Sequence, residues 1–525
     1  MAAPTVREVT IDLLRQLGIT KIFGNPGSTE LPMFRDFPAD MDYVLGLQEA
    51  SVLAMADGYA LATRNAALVN LHSSAGTGHA LGNLFTAYKN YAPVIVTAGQ
   101  QARSILPFEP FLHAARPTEF PQPFVKWACE PARAEDVPLA IARAYRIAMT
   151  PPFGPTFVSV PVDDWDKPCE PLPRLPRVAT TNPGDPAALV ELARALGSAS
   201  RAALVLGADC ARSQAWDAAL ALAERHQLAV YSAPHSSRNV FPENHPLFQG
   251  FIPASRSAIM ETLGKHDLVI SAGGPLHLYH TEGAGPHVPD DTGLWLIAND
   301  PNLLSFAPAD RAILADCRSA LERLAVSAEP NARATPLPPR PAPPLTGDTL
   351  DAAAAFACIA RMRPTDSAIV EEAPSTRAIM QQQMALTGPD QFFTTASGGL
   401  GYALPAAVGV ALANPDRKII AIIGDGSFMY SEQALFSAAQ LGTPVSFLVI
   451  NNKCYAALRE FGRHFQLGKV EGTDLTGLDF CALAKGHNVA ARSAVSVAEL
   501  EEALAWSFAA DGPTLVEIVL AEKEV

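Results

Sequence analysis

No two of the seven cysteines, Cys129, Cys169, Cys210, Cys317, Cys358, Cys454 and Cys481, form a CxxC pair. Their scatter argues against a disulfide framework or a zinc site and fits reduced thiols in a cytoplasm. No apolar run approaches the length needed to span a bilayer. The opening stretch MAAPTVREVTIDLLRQLGIT lacks the unbroken apolar core of a signal peptide, because Arg7, Glu8, Asp12 and Arg15 interrupt it in an amphipathic pattern. Charge is not blocked either. A net charge of −14 spread along the chain argues against nucleic acid and anionic membranes as partners, while small anionic substrates stay open. There is no short-period repeat. These absences leave a cytoplasmic chain of 525 residues, long enough for about three domains.

The most informative stretch runs from Lys418 to Asn452. Ile419, Ile420, Ile422 and Ile423 form an apolar run suited to a parallel strand covered on both faces, and Val445 to Ile450 repeat it after a helical segment. Ligands of such sheets bind beyond the carboxyl ends of the strands. Gly424 and Gly426 flank Asp425 there, so the backbone can approach a ligand, and a helix after Ser427 would offer free N–H groups to a diphosphate. Asp425 brings a carboxylate and Asn452, on the next strand end, an amide oxygen, a donor set suited to Mg²⁺ beside a diphosphate. Read alone, Gly-Asp-Gly is also an ordinary tight turn.

Periodicity divides the chain into three α/β domains, each a doubly wound parallel sheet: 1–175, 182–328 and 348–525, with a proline-rich linker at 329–347. In the first, helices are predicted at Pro4 to Leu17, Glu49 to Ala62, His79 to Lys89 and Glu135 to Met149. Strands are predicted at Lys21 to Phe23, Tyr43 to Leu47, Ala67 to Leu71, Val94 to Thr97 and Thr156 to Val160. The central domain carries apolar strands at Ala203 to Leu206, Ala229 to Ser232, Leu268 to Ser271 and Leu294 to Ala298, but no phosphate turn.

Polar groups also cluster at the strand ends of the first domain, in FGNPGSTELP at 23–32, LQEA at 47–50 and NLHSSAGTG at 70–78. Ser28 reads either as a helix N-cap or as a ligand-binding hydroxyl, and Glu49 either as a complement to the helix dipole or as a functional carboxylate. His72 stands at a strand end between Leu71 and Ser73.

Taken together, GNPGS, LQEA, NLHSSAGTG, VKWACEPA at 125–132, SVPVDDWDKP at 159–168, SGGLGYALPAAVG at 397–409, and GDGS paired with Asn451-Asn452 resemble the thiamine diphosphate-dependent 2-oxo acid decarboxylases, over essentially the whole chain. The resemblance implies pyrimidine-binding, central and diphosphate-binding domains in that order. It also implies a cofactor held between the first domain of one subunit and the third of another, hence at least a homodimer and commonly a homotetramer. By the same likeness Asp425, Asn452 and the carbonyl of Cys454 hold Mg²⁺, and Glu49 bonds the cofactor's aminopyrimidine. Asn25, Pro26, Gly27, Gly424, Gly426, Ser427 and Tyr455 line the cofactor, and Leu400 props its bent shape.

The implied reaction is decarboxylation of an aromatic 2-oxo acid, benzoylformate foremost, to an aldehyde and CO₂. Ser28 would hold the substrate carboxylate, while His72 and His280 would move protons, work that imidazole suits near neutrality. Phe111, Leu112, Thr394, Ala457, Leu458 and Phe461 match pocket positions. Thr394, Pro374 and Glu460 depart from the phenylalanine, threonine and tryptophan that the likeness leads one to expect. A carboligase using the same cofactor and a non-catalytic cofactor-binding subunit remain alternatives.

Overall fold

The structure is a computed structural model describing residues 3–521 except 175, 177, 331–336, 339, 340, 342 and 345, so the expected linker at 329–347 lies partly outside the described residues. The chain forms two compact units. One comprises Met1–Val178, Thr346–Ala378 and Ser397–Val525, and the other Ala179–Leu345 with Ile379–Ala396.

The first sheet is built from β1 (Lys21–Gly24), β2 (Asp42–Leu45), β3 (Ala67–Leu71), β4 (Val94–Gln100), β5 (Ala128–Cys129) and β6 (Thr156–Pro161). All pairs are parallel, in the order β2-β1-β3-β4-β6-β5. The second unit contains β7 (Ala202–Leu206), β8 (Ala229–Ser232), β9 (Phe248–Phe251), β10 (Leu268–Ala272), β11 (Gly293–Ala298) and β12 (Arg311–Leu314). These are again parallel, ordered β12-β11-β10-β7-β8-β9. Later in the chain come β13 (Ala368–Glu372), the short β14 (Phe392–Thr394), β15 (Ile419–Gly424), β16 (Val445–Asn451), β17 (Ala490–Ala494) and β18 (Thr514–Val519). Within the first unit, β13-β15-β16-β18-β17 are parallel neighbours.

Every residue of β16 is buried, and so are the five apolar residues of β15, as a parallel sheet covered on both faces requires. α1 (Val6–Gln16) starts from a Thr5/Glu8 capping box and stops before Gly18, whose φ of +70° suits glycine.

Two helices show no apolar stripe because they are buried against each other. α2 (Glu49–Thr63) and the helix Ala403–Ala413 meet at small residues: a Cβ at Gly409 would lie 1.9 Å from the Met55 carbonyl oxygen, and one at Gly58 would lie 2.4 Å from that of Ala406. Their backbones therefore approach as only glycine permits, and Glu49, at the first turn of α2, is fixed at the end of the sheet.

α3 spans Ser73–Lys89, six residues more at its N-terminus than the apolar spacing predicts, because SSAGTG carries no apolar face of its own. The helix expected after Ser427 is a single turn, Asp425–Phe428, followed by a separate helix Ala434–Leu441. No helix among the described residues is long and apolar enough to cross a membrane.

Candidate active site

The chain leaves β1 for β2 on one side and returns to β3 on the other, which opens a crevice at the carboxyl ends of β1 and β3. Asn25 follows β1, His72 follows β3 and Glu49 opens α2. Asn25 Nδ2 donates to Glu49 Oε1 at 3.2 Å, and His79 Nδ1 lies 3.0 Å from Glu49 Oε2. The glutamate is only 8% exposed, so these two donors account for much of what holds its carboxyl in place. Gln48, not Glu49, caps the helix by accepting the Ser51 N–H.

His72 sits in a second cluster. Its Nδ1 is 2.9 Å from Oε2 of Glu30 and 3.1 Å from Oγ1 of Thr29. Glu30 is buried and also accepts the Gly27 N–H at 3.0 Å and the Thr29 hydroxyl. Donation from Nδ1 to a buried carboxylate fixes the ring and its tautomer, leaving Nε2 as the nitrogen that can exchange a proton with a ligand. Close packing makes the flanking glycines obligatory: a Cβ at Gly27 would stand 2.0 Å from His72 Nδ1, and one at Gly99 would stand 2.0 Å from Glu30 Oε1. Ser28 is exposed in the turn after β1. It does not cap a helix, since the following 3-10 turn Leu31–Phe34 begins from Glu30.

The third cluster lies at the ends of β15 and β16. Asp425 is buried; its Oδ1 accepts the Gly426 N–H at 2.8 Å, and its Oδ2 has no hydrogen-bond partner. Burial pushes its carboxyl pKa up, with backbone N–H groups of Gly426 and Lys453 pulling the other way. Asn452 Oδ1 accepts the Cys454 N–H at 3.1 Å, and the Cys454 carbonyl accepts the Ala456 N–H at 2.9 Å. Behind them Asn451 Nδ2 donates to Glu517 Oε1 at 2.7 Å, and Asn451 Oδ1 accepts the Lys453 N–H, which shapes the loop.

A buried carboxylate oxygen without a partner, close in the fold to amide and carbonyl oxygens that retain lone pairs, is a donor set for a hard divalent cation. Among the described residues no three His, Cys, Asp or Glu side chains form a metal cluster. An ion such as Mg²⁺ takes few carboxylates and completes its shell with water and phosphate oxygens. The residues therefore fit a metal-bound diphosphate. Gly424 and Gly426 differ in the space around them. A Cβ at Gly426 would lie 2.3 Å from the Tyr455 ring, whereas one at Gly424 would meet nothing closer than 3.7 Å.

Leu400 is half-buried in the loop before the helix Ala403–Ala413. That loop is anchored on Glu372, whose carboxylate accepts the N–H groups of Gly401, Tyr402 and Ala403 at 2.6, 2.7 and 2.6 Å. Complete burial pushes the Glu372 pKa up to about 7, against the pull of those three donors. Asn83 of α3 ties the same loop to α2, donating to the carbonyls of Gly401 and Ala50.

The remaining predicted positions are dispersed. Phe111 is 88% exposed and Leu458 is 49% exposed. Leu112 is held through its carbonyl, which accepts the Ser73 hydroxyl at 2.8 Å. Ala457, Leu458 and Phe461 lie on the helix Ala456–His464, and Phe461 stacks on the exposed Phe465. Thr394 and His280 belong to the second unit. Thr394 is buried and donates its N–H to the Ser237 carbonyl, whereas His280 is exposed and packs edge-on against His235. Glu30, Glu372 and His79 carry no local motif. Glu30 could have been suspected only from the unusual density of polar residues between Asn25 and Glu30.

Three parallel α/β sheets, with these clusters at strand ends of the first and the third, define a cofactor-dependent enzyme of the thiamine diphosphate type. The chain belongs to the thiamine pyrophosphate enzyme family, matching its N-terminal TPP binding domain at residues 4–120, its central domain at 189–324 and its C-terminal TPP binding domain at 375–518. It is 41% identical to the benzoylformate decarboxylase of Pseudomonas aeruginosa, with 98% of each chain covered. The crystal structure of benzoylformate decarboxylase from Polynucleobacter necessarius superposes with a TM-score of 0.97 at 38% identity, covering 100% of this chain and 99% of that one. The thiamine diphosphate-dependent 4-hydroxybenzoylformate decarboxylase of Rhodococcus jostii gives 0.95 at 40% identity, covering 99% and 100%.

Proposed function

We propose that this chain decarboxylates an aromatic 2-oxo acid, benzoylformate foremost, to the aldehyde and CO₂, using thiamine diphosphate and Mg²⁺. The observation that carries this reading is the pair of clusters at one sheet end, where a buried glutamate, Glu49, is held on both oxygens and a histidine, His72, is locked by a second buried glutamate, Glu30. Identity spread over the whole length of a benzoylformate decarboxylase supports the same choice.

In this reading Asp425, Asn452 and the Cys454 carbonyl hold the metal, and Gly424, Gly426, Ser427 and Tyr455 border the diphosphate. Asn25, Pro26 and Gly27 border the pyrimidine side. Glu49 hydrogen-bonds the aminopyrimidine and steadies its proton. When bound, the cofactor supplies the carbon nucleophile and the sink for the electrons released with CO₂. Ser28 orients the substrate carboxylate, His72 exchanges a proton through Nε2, and His280 serves as the second proton-transfer group. Leu400 would press on a bound cofactor from a loop that Glu372 anchors. Phe111, Leu112, Ala457, Leu458 and Phe461 would supply an apolar lining once a second copy covers them, and exclusion of water by such a lining favours loss of charged carboxylate as CO₂.

The active unit is at least a homodimer and preferably a tetramer. Support comes from exposed Phe108, Phe111, Leu458, Phe465 and Leu467, large apolar side chains that a second copy could cover. Seven free cysteines suit a cytoplasmic setting.

The test is product analysis with thiamine diphosphate and Mg²⁺ present and benzoylformate, pyruvate, phenylpyruvate and a branched 2-oxo acid supplied separately. Benzaldehyde and CO₂ formed fastest from benzoylformate is the expected result. Preference for another acid moves the substrate assignment, condensed hydroxyketones as main products replace it with carboligation, and no turnover of any acid rejects it.

A further inference from the structure

The Glu49 carboxyl has a partner that the motifs do not announce. His79 lies two turns into α3, with its side chain 65% exposed, yet its Nδ1 is 3.0 Å from Oε2 of a Glu49 side chain only 10% exposed. Within the single chain the imidazole links a buried carboxyl to the surface. Asn25, on the other oxygen, is neutral at every pH, so among the described residues His79 is the hydrogen-bond partner of Glu49 whose charge can change. α3 approaches Glu49 at Gly76 as well: a Cβ there would meet Glu49 Cγ at 3.4 Å and His72 Cβ at 3.6 Å. Through Gly76 this helix also brings His72 near Glu49, and His72 is engaged by Glu30.

We propose that His79 is a positioning residue that makes cofactor activation depend on pH, by setting whether Glu49 faces a neutral or a cationic hydrogen-bond donor. With a neutral ring, Nδ1–H gives Glu49 an ordinary hydrogen bond and leaves the carboxyl able to share a proton with the aminopyrimidine. With a protonated ring, a full positive charge stands against Oε2, the carboxylate form is favoured, and the glutamate is a poorer proton donor. Acidification through the range where histidine gains its proton therefore slows activation without unfolding the protein. No proton passes from His79 to substrate. The inference rests on Glu49 serving the aminopyrimidine, as proposed above, and is independent of which 2-oxo acid is used.

The experiment compares wild type with His79→Asn, which retains a donor near the Nδ1 position but cannot become cationic, and with His79→Ala, which removes both properties. An exposed side chain makes either variant compatible with folding. Two measurements are made without substrate: hydrogen–deuterium exchange at C2 of bound thiamine diphosphate between pH 6 and 8.5, and the protons taken up or released when thiamine diphosphate and Mg²⁺ bind the cofactor-free protein, by calorimetry in buffers of different ionisation enthalpy. Wild-type exchange is expected to fall about tenfold on the acid side. His79→Asn should flatten that limb and His79→Ala should slow exchange throughout, whereas His72→Ala should keep the limb. The proton count on binding should differ between wild type and His79→Asn near pH 6.5 and converge at pH 8.5.

An Asn variant with the wild-type pH profile, or with the same proton count at both pH values, overturns the proposal. Glu49→Gln separates the two levels. Unchanged exchange in that variant rejects the role of Glu49 itself, whereas slowed exchange in Glu49→Gln with a wild-type profile in His79→Asn rejects only the role of His79.

Discussion

Glu30 and His72 are 42 positions apart in sequence, yet Oε2 of the one lies 2.9 Å from Nδ1 of the other. The carboxylate is buried, and it is braced by the Gly27 N–H and the Thr29 hydroxyl, so the imidazole is oriented before any ligand arrives. Glu30→Ala should therefore lower kcat on benzoylformate by about 10²-fold, while Glu30→Gln, which keeps an acceptor, should lose about tenfold. Steady-state kinetics at saturating cofactor checks this. Equal activity in wild type and Glu30→Ala would show that His72 needs no orienting partner.

Local patterning made the architecture readable. The apolar runs at Ile419–Ile423 and Val445–Ile450 are full strands because both faces are covered, and the Val6–Gln16 helix appears where its spacing places it. Asp425 and Asn452 were conspicuous because each follows an apolar strand directly. Glu30 and His79 were not, since their importance comes from bonds across the fold to His72 and Glu49. Strands β5, β9, β12, β13, β14 and β17 were also missed; β5 and β14 are only two and three residues long, and the apolar start of β13 gives way to Glu371-Glu372. β12 and β17 are exposed at several positions and lie at sheet edges, and β9 is only partly covered, so none has a continuous apolar run. The start of α3 was misplaced because SSAGTG is held by packing around Gly76 and Thr77, not by a hydrophobic stripe.

Glu372 gives a pH-dependent stability with a definite sign. Burial raises its folded pKa to about 7, above the ordinary carboxyl value. The raised group contributes stability that is fully present below the unfolded carboxyl range and is lost as pH rises through about 7. Glu372→Gln cannot lose a proton, and its amide would face one of three backbone donors, so it should destabilise the cofactor-free protein by about 1–3 kcal/mol. The change in melting temperature between pH 5 and pH 8 should also shrink in the variant. An identical pH dependence in both proteins would assign the effect to other groups.

Asp425 presents an unpaired buried oxygen, and filling that vacancy in hydrogen bonding is what a cation would do. Asp425→Ala and Asn452→Ala should each weaken Mg²⁺-dependent retention of thiamine diphosphate by at least about tenfold. A chelator should release cofactor from wild type for the same reason. Retention of cofactor after gel filtration in chelator, or unchanged affinity by titration calorimetry in Asp425→Ala, would remove this carboxylate from the metal site.

The two glycines around Asp425 should not be equivalent, although the motif is symmetrical on paper. Neither has a positive φ, so the difference is one of space. A methyl group at Gly424 would reach only ordinary contact, 3.7 Å from the Glu372 carbonyl oxygen, whereas one at Gly426 would press to 2.3 Å on the Tyr455 ring and 3.1 Å on Leu475. Tyr455 begins the helix Ala456–His464 and follows Cys454 directly, so its displacement must move the loop that carries Asn452 and the Cys454 carbonyl. Gly426→Ala should accordingly reduce cofactor affinity at least about tenfold, comparable to loss of a supporting group around a metal. Gly424→Ala should leave the melting temperature of the cofactor-free protein within about 1 °C of wild type, since its Cβ needs no neighbour to move. If Gly426→Ala binds as tightly as wild type, Tyr455 yields to the added methyl group and neither the loop nor the cofactor needs a glycine there.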